Sequence, residues 1–174
     1  MENLRSKIEE SARFIQERTD FVPEIGIILG TGLGALADDI EIDRVIPYGE
    51  IPWFPISTVE SHQGNFIIGE LSGKQVVAMQ GRFHYYEGYS MQQITYPIRI
   101  MKLLGVTHLF VSNATGGLNP QYRTGDLMIL RDHINFFPEH PLRGINDDAF
   151  GVRFPDMSQV YSLELITNAQ QIAQ

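Results

Sequence analysis

The segment that most restricts the fold is a five-residue apolar run, residues 25–29 (IGIIL), closed at once by Gly30-Thr31-Gly32-Leu33-Gly34. So short a run without polar alternation fits a strand buried on both faces. The following residues (LGALADDI) read as a short helix. Strand, glycine loop and helix form the α/β unit whose loop aims backbone N–H groups at an anion. The glycine spacing is not the dinucleotide fingerprint, whose third glycine falls one position later, and no Gly-Lys-Ser/Thr follows as in a P-loop. A plain tight turn would use the same glycines. Thr31 favours an anion, because a hydroxyl between two glycines adds a donor where backbone amides already point.

Around this unit the chain alternates strands and helices. Leu4, Ile8, Ala12 and Ile15 recur at helical spacing, which predicts an amphipathic helix over residues 3–19. Residues 47–64 carry three prolines and no helical period, so they form a long loop with room for one short strand. Residues 65–71 and 74–80 are β-prone and joined by Ser72-Gly73, a hairpin pattern. Ser90 with Gln93 makes a capping box. The helix it opens has a stripe of Ile94, Ile98, Met101 and Leu104, is bent or shortened by Pro97, and stops at Gly105. Residues 107–111 read as a buried strand and 126–131 as a further strand. Residues 132–156 are rich in Pro, Gly, Asn and Asp and read mostly as loop. A last helix starts near 159, with Leu165, Ala169 and Ile172 on one face. The expected class is α/β in a single domain over 1–174, with functional residues in loops after strands.

Composition narrows the chemistry. Thirteen Lys and Arg against 21 Asp and Glu give a net charge of −8, which supplies no basic face for duplex nucleic acid. A few local donors can still hold a phosphate. The chain has no cysteine, so a disulfide framework, a thiolate nucleophile and a cysteine metal site are excluded. The N-terminus is too charged for a signal peptide and no apolar run approaches a membrane span. The expected location is cytoplasmic, with no membrane partner.

Three further clusters carry candidate chemistry. Arg82 and His84 lie two apart at a strand end and so point the same way. The planar guanidinium suits phosphate, and His84 can donate beside it. Glu87 is close enough in sequence to orient Arg82. A solvated surface arginine is the alternative. Asn113-Ala114-Thr115-Gly116-Gly117 follows a strand with small residues, which fits either close backbone approach to a ligand or an ordinary turn. His62 sits in the long loop and is either a residue that closes over a ligand or an exposed histidine. His108, His133 and His140 form no pattern and are read as structural, and no spacing suggests a metal site.

Taken in order, ILGTGLGALAD, STVESHQGN, GRFHYYEGY, SNATGGLNP, RDHINFF and PLRGINDDAFGVRFPDMS run across nearly the whole chain. Together they resemble the trimeric purine nucleoside phosphorylases. The resemblance implies an α/β fold with a mixed, partly barrel-like sheet flanked by helices, and a homotrimer with sites near subunit interfaces. It implies reversible phosphorolysis of purine ribo- and deoxyribonucleosides to the free base and pentose 1-phosphate. Inorganic phosphate is then a co-substrate and no cofactor is required. By motif match, Thr31, His62, Arg82, His84 and the Ala114 backbone N–H would bind phosphate, with Arg82, His84 and His62 as the catalytic candidates. Tyr86 would contact the ribose, and Phe150 would reach into a neighbouring subunit's sugar site.

Members of that family are longer, and a Glu and an Asn from the later part of their chains read the purine. The chain is therefore expected to be a truncated form with an open sheet edge and little phosphorolysis of its own. Two alternatives stand beside the main reading. One is methylthioadenosine phosphorylase, against which Arg-Phe-His-Tyr-Tyr-Glu-Gly weighs. The other is a non-catalytic remnant that keeps a phosphate or nucleotide pocket.

Overall fold

A computed structural model describes residues 4–30, 32–55 and 64–173. Contacts divide the chain into two compact units, Met1–Ala114 and Thr115–Gln174.

The first unit holds a five-stranded mixed sheet and two helices. In chain order the elements are α1 (Leu4–Gln16), β1 (Ile25–Ile28), β2 (Glu41–Pro47), β3 (Asn65–Leu71), β4 (Lys74–Gln80), α2 (Met91–Leu104) and β5 (His108–Val111). Short 3-10 segments occupy Gly34–Asp39, Tyr48–Glu50 and Tyr85–Glu87. The strand order is β2-β3-β4-β1-β5, an open sheet and not a closed barrel. β1 runs parallel to both β4 and β5, whereas β2–β3 and β3–β4 are antiparallel.

The hairpin is the most local piece of this sheet. Leu71 faces Lys74, so only Ser72 and Gly73 turn the chain, both at positive φ (51° and 77°). That two-residue geometry matches the right-handed twist of the strands it joins. Phe66, Ile67 and Ile68 on β3 and Val76, Val77, Ala78 and Met79 on β4 are all buried. Such unbroken runs need cover on both faces.

β2 was not anticipated. Three of its seven residues are charged and Ile46 alone is buried, so no apolar pattern marks it. Its ladder to β3 slips between Ile42 and Arg44, next to Gly69, where a Cβ would collide with the Glu41 carbonyl.

β5 is a strand as expected, but all four of its residues are exposed (Phe110 at 47 %). It lies at the end of the sheet order, where an apolar run need not be covered. Residues 126–131, expected as a strand, form no regular element, and Leu127 is 90 % exposed. Their composition is strand-like, but a strand also needs a ladder partner, and they have none among the described residues.

α1 buries Ile8, Ser11, Ala12 and Ile15 and packs against α2. Ser11 is the polar member of that stripe. Its hydroxyl lies 2.5 Å from the Pro52 carbonyl, 2.9 Å from that of Lys7 and 2.8 Å from the Tyr96 hydroxyl of α2, so the buried oxygen is satisfied. α2 has the full capping box: Gln93 N–H donates to Ser90 Oγ, and Ser90 N–H donates to the Gln93 side chain. The helix continues through Pro97 and ends at Gly105, whose φ of 112° favours glycine.

An aromatic cluster ties these layers to the loops. The Tyr48 ring lies tilted against Phe54 at 4.7 Å and Phe83 at 5.6 Å between centroids, and Phe54 also meets Phe66 and Tyr96 edge-on. The Tyr48 hydroxyl donates to the Gly81 carbonyl at 2.6 Å, and its backbone N–H donates to Gly64. Burial pushes this phenol well above the ordinary tyrosine range.

The second unit is mostly loop held by short polar links, as expected for residues 132–156. Arg153 donates to the carbonyls of Leu142 and Gly144, and Asn146 donates to Asp148 and to the Gly151 carbonyl. The last helix, α3 (Leu163–Ile172), is capped by Ser162. Among the described residues no helix is long and apolar enough to cross a membrane.

Two outcomes follow for stability. Ser90→Ala removes the cap acceptor and should lower unfolding free energy by about 1 kcal/mol, read from the urea midpoint. Tyr48 holds its proton in the folded state at a pH where the unfolded chain releases it. Its contribution is complete below the ordinary tyrosine pKa and declines as pH rises through about 10. The urea midpoint should therefore fall above that pH, and less steeply in Tyr48→Phe.

Candidate functional site

Because β4, β1 and β5 are adjacent and parallel, their C-terminal ends open along one edge of the sheet. Three loops leave from that edge: the glycine loop after β1, Gly81 to His84 after β4, and Ser112 to Ala114 after β5. Strand order, not sequence proximity, brings these candidates together, at the kind of strand-end position where α/β sheets bind ligands.

Arg82 is half-buried, and its Nη1 donates to the Ser112 carbonyl at 2.6 Å. One donor of the guanidinium fork is thus fixed across to the β5 loop. The buried neighbour Phe83, packed against Tyr48, Phe54 and Tyr89, sets the backbone that carries it. Gly81, at φ 98°, turns the chain out of β4, and its carbonyl is held by Tyr48.

His84 follows on the same loop. Its Nε2 lies 3.9 Å from a Glu87 carboxylate oxygen, so Glu87 faces His84, while Arg82 takes its anchor from Ser112. The imidazole stacks on the Tyr86 ring at 4.9 Å between centroids and 27° between planes. Tyr86 is 83 % exposed, which leaves its second face open.

The glycine loop meets the β5 loop closely. Gly30 N–H donates to Ser112 Oγ at 2.8 Å, and a Cβ on Gly30 would come within 2.5 Å of the Ser112 carbonyl oxygen. Glycine is required here by the contact between two backbones. Ala114 is exposed two residues further on.

Of the sequence candidates, Arg82, His84, Tyr86 and Ala114 therefore share the first unit and the loops at this edge. Thr31 and His62 lie outside the described residues. Phe150 belongs to the second unit, where it is half-buried and its N–H donates to the Asp147 carbonyl. Tyr48 and Ser112 received no role from sequence. A hydroxyl residue directly after a strand was the one available signal for Ser112, and nothing marked Tyr48. Among the described residues no group of three or more His, Asp or Glu side chains is placed to hold a metal ion.

The arrangement is a donor cluster with one fixed arginine, a neighbouring imidazole and an aromatic face, suited to holding an anion beside an apolar ring.

Known proteins match the chain along nearly all its length. It is 55 % identical over 169 residues to purine nucleoside phosphorylase 1 of Geobacillus stearothermophilus, covering 97 % of this chain and 62 % of the relative. It is 53 % identical to purine nucleoside phosphorylase 1 of Bacillus subtilis, covering 98 % and 63 %. Among solved structures, isoform 2 of purine nucleoside phosphorylase from Schistosoma mansoni, in complex with cytosine and ribose-1-phosphate, superposes with a TM-score of 0.91 at 47 % identity, covering 97 % of this chain and 60 % of that one. The chain thus spans about three fifths of the length of these relatives. The model of the phosphorylase superfamily matches residues 24–174, and the chain belongs to that family.

Proposed function

We propose that the loops at the β4-β1-β5 edge bind inorganic phosphate, and that the whole protein uses it to cleave purine nucleosides to the base and pentose 1-phosphate. The observation that carries this is the Arg82 guanidinium, held by the Ser112 carbonyl among the three loops of one sheet edge. Phosphorolysis requires a phosphate oxygen to reach the anomeric carbon as the base departs. A protein contributes by positioning that dianion and stabilising the changing charge. Arg82 would supply fixed charge and a directional fork. His84 and the Ala114 N–H would supply further donors, and Thr31 and His62 are assigned to the same phosphate. Tyr86, with an open ring face beside His84, suits the sugar. Phe150 is assigned to a neighbouring subunit's sugar site in a homotrimer, and the location proposed is the cytoplasm.

The names of the relatives support purine nucleosides over methylthioadenosine as substrate, since three relatives at 48–55 % identity are named purine nucleoside phosphorylases. Three assays test the proposal on the whole protein. Inosine and guanosine should be consumed only with phosphate present, yielding pentose 1-phosphate, and faster than methylthioadenosine. Release of free ribose without phosphate would overturn the proposal. Arg82→Ala should raise KM for phosphate on the order of ten- to a hundredfold, as expected for loss of a charge-assisted hydrogen bond.

A further inference from the structure

We propose that Ser112 is a positioning residue, which ties the glycine loop and Arg82 to the end of β5 so that donors from three loops face one anion. The inference rests on the phosphate-site reading above and adds to it the group that sets the geometry.

Every polar group of Ser112 is engaged. Its N–H donates to the Ile28 carbonyl at 3.0 Å and so extends the β1–β5 ladder by one step. Its hydroxyl donates to the same carbonyl at 3.2 Å and accepts from Gly30 N–H at 2.8 Å. A serine hydroxyl has one proton and two lone pairs, so it performs both tasks at once. Its carbonyl accepts from Arg82 Nη1 at 2.6 Å. One residue therefore contacts the loop after β1 and the loop after β4 while standing at the start of the loop after β5.

The hydroxyl is the replaceable part. Alanine would leave the buried Gly30 N–H without its acceptor, a costly state that the glycine loop relieves by moving toward water. The contact is close, since a Cβ on Gly30 would meet Ser112 O, Ser112 C and Asn113 Cα within 2.5–2.9 Å. Movement of the glycine loop therefore also shifts the carbonyl on which Arg82 is docked. An anion site held by preset donors loses affinity when those donors must be reordered on binding.

Inorganic phosphate is the probe, titrated calorimetrically into the full chain and into Ser112→Ala, Ser112→Thr and Gly30→Ala. Amide hydrogen exchange at Gly30 and melting temperature are read without phosphate. Ser112→Ala should bind phosphate roughly tenfold more weakly, with faster Gly30 exchange. Ser112→Thr, which keeps the hydroxyl, should restore affinity. Gly30→Ala keeps the hydroxyl but separates the loops, and should weaken binding even if Ser112→Ala fails to fold. If the unsubstituted chain binds phosphate and Ser112→Ala binds it equally well, the positioning role is overturned. A drop in melting temperature at unchanged affinity overturns it too, because Ser112 would then be structural only. If the unsubstituted chain takes up no phosphate, the phosphate-site reading fails and the role of Ser112 in binding fails with it.

Discussion

The parallel pairing of β1 with β4 on one side and β5 on the other is the constraint on which the remainder of the first unit depends. An antiparallel neighbour would send its following loop to the opposite edge of the sheet. Here three successive strand ends face the same way, and the three loops that carry the candidate donors inherit a common edge. The hairpin partner β3 covers the other side of β4 and is buried through its middle, so the strand that delivers Arg82 is clamped between two ladders. The aromatic cluster then fixes the first residues beyond that strand, with the Tyr48 hydroxyl on the Gly81 carbonyl and Phe83 packed between Tyr48 and Tyr89. Side-chain order at the site is in this way continuous with the packing of the core.

Elements governed by local chemistry were legible in the sequence. Ser72-Gly73 between two β-prone runs marks the hairpin, and Ser90, Gln93 and Gly105 bracket α2 because caps and positive φ are properties of single residues. The spacing of Ile8, Ala12 and Ile15 shows the buried face of α1. Elements governed by partners were not legible. β2 exists through its ladder with β3, although Glu41, Asp43 and Arg44 break any apolar alternation. Residues 126–131 have the opposite character: their composition suits a strand, yet no ladder partner is described for them. The apolar residues of β5 suggested burial, whereas the end of a sheet leaves them exposed.

The same division runs through the candidate site. Arg82 and His84 stand out in the sequence because two donor side chains close together after a strand are a local signal, and the structure places both in the loop after β4. Their distance from Gly30 and Ser112 was not visible, since it depends on strand order across a long stretch of chain. Glu87 illustrates the point: proximity in sequence suggested that it orients Arg82, while the 3-10 turn at Tyr85–Glu87 swings it to His84 and a backbone carbonyl takes over the arginine.

That carbonyl has a consequence for the local field. A carboxylate would hold the guanidinium firmly but cancel most of its charge, and an incoming dianion would then compete with a resident anion. A carbonyl dipole orients the group without cancelling its charge, and among the described residues no carboxylate pairs with Arg82. In a chain whose overall balance is −8, the potential for the proposed phosphate would come from such local charge at short range, where it outweighs the distant, solvent-screened acidic surface.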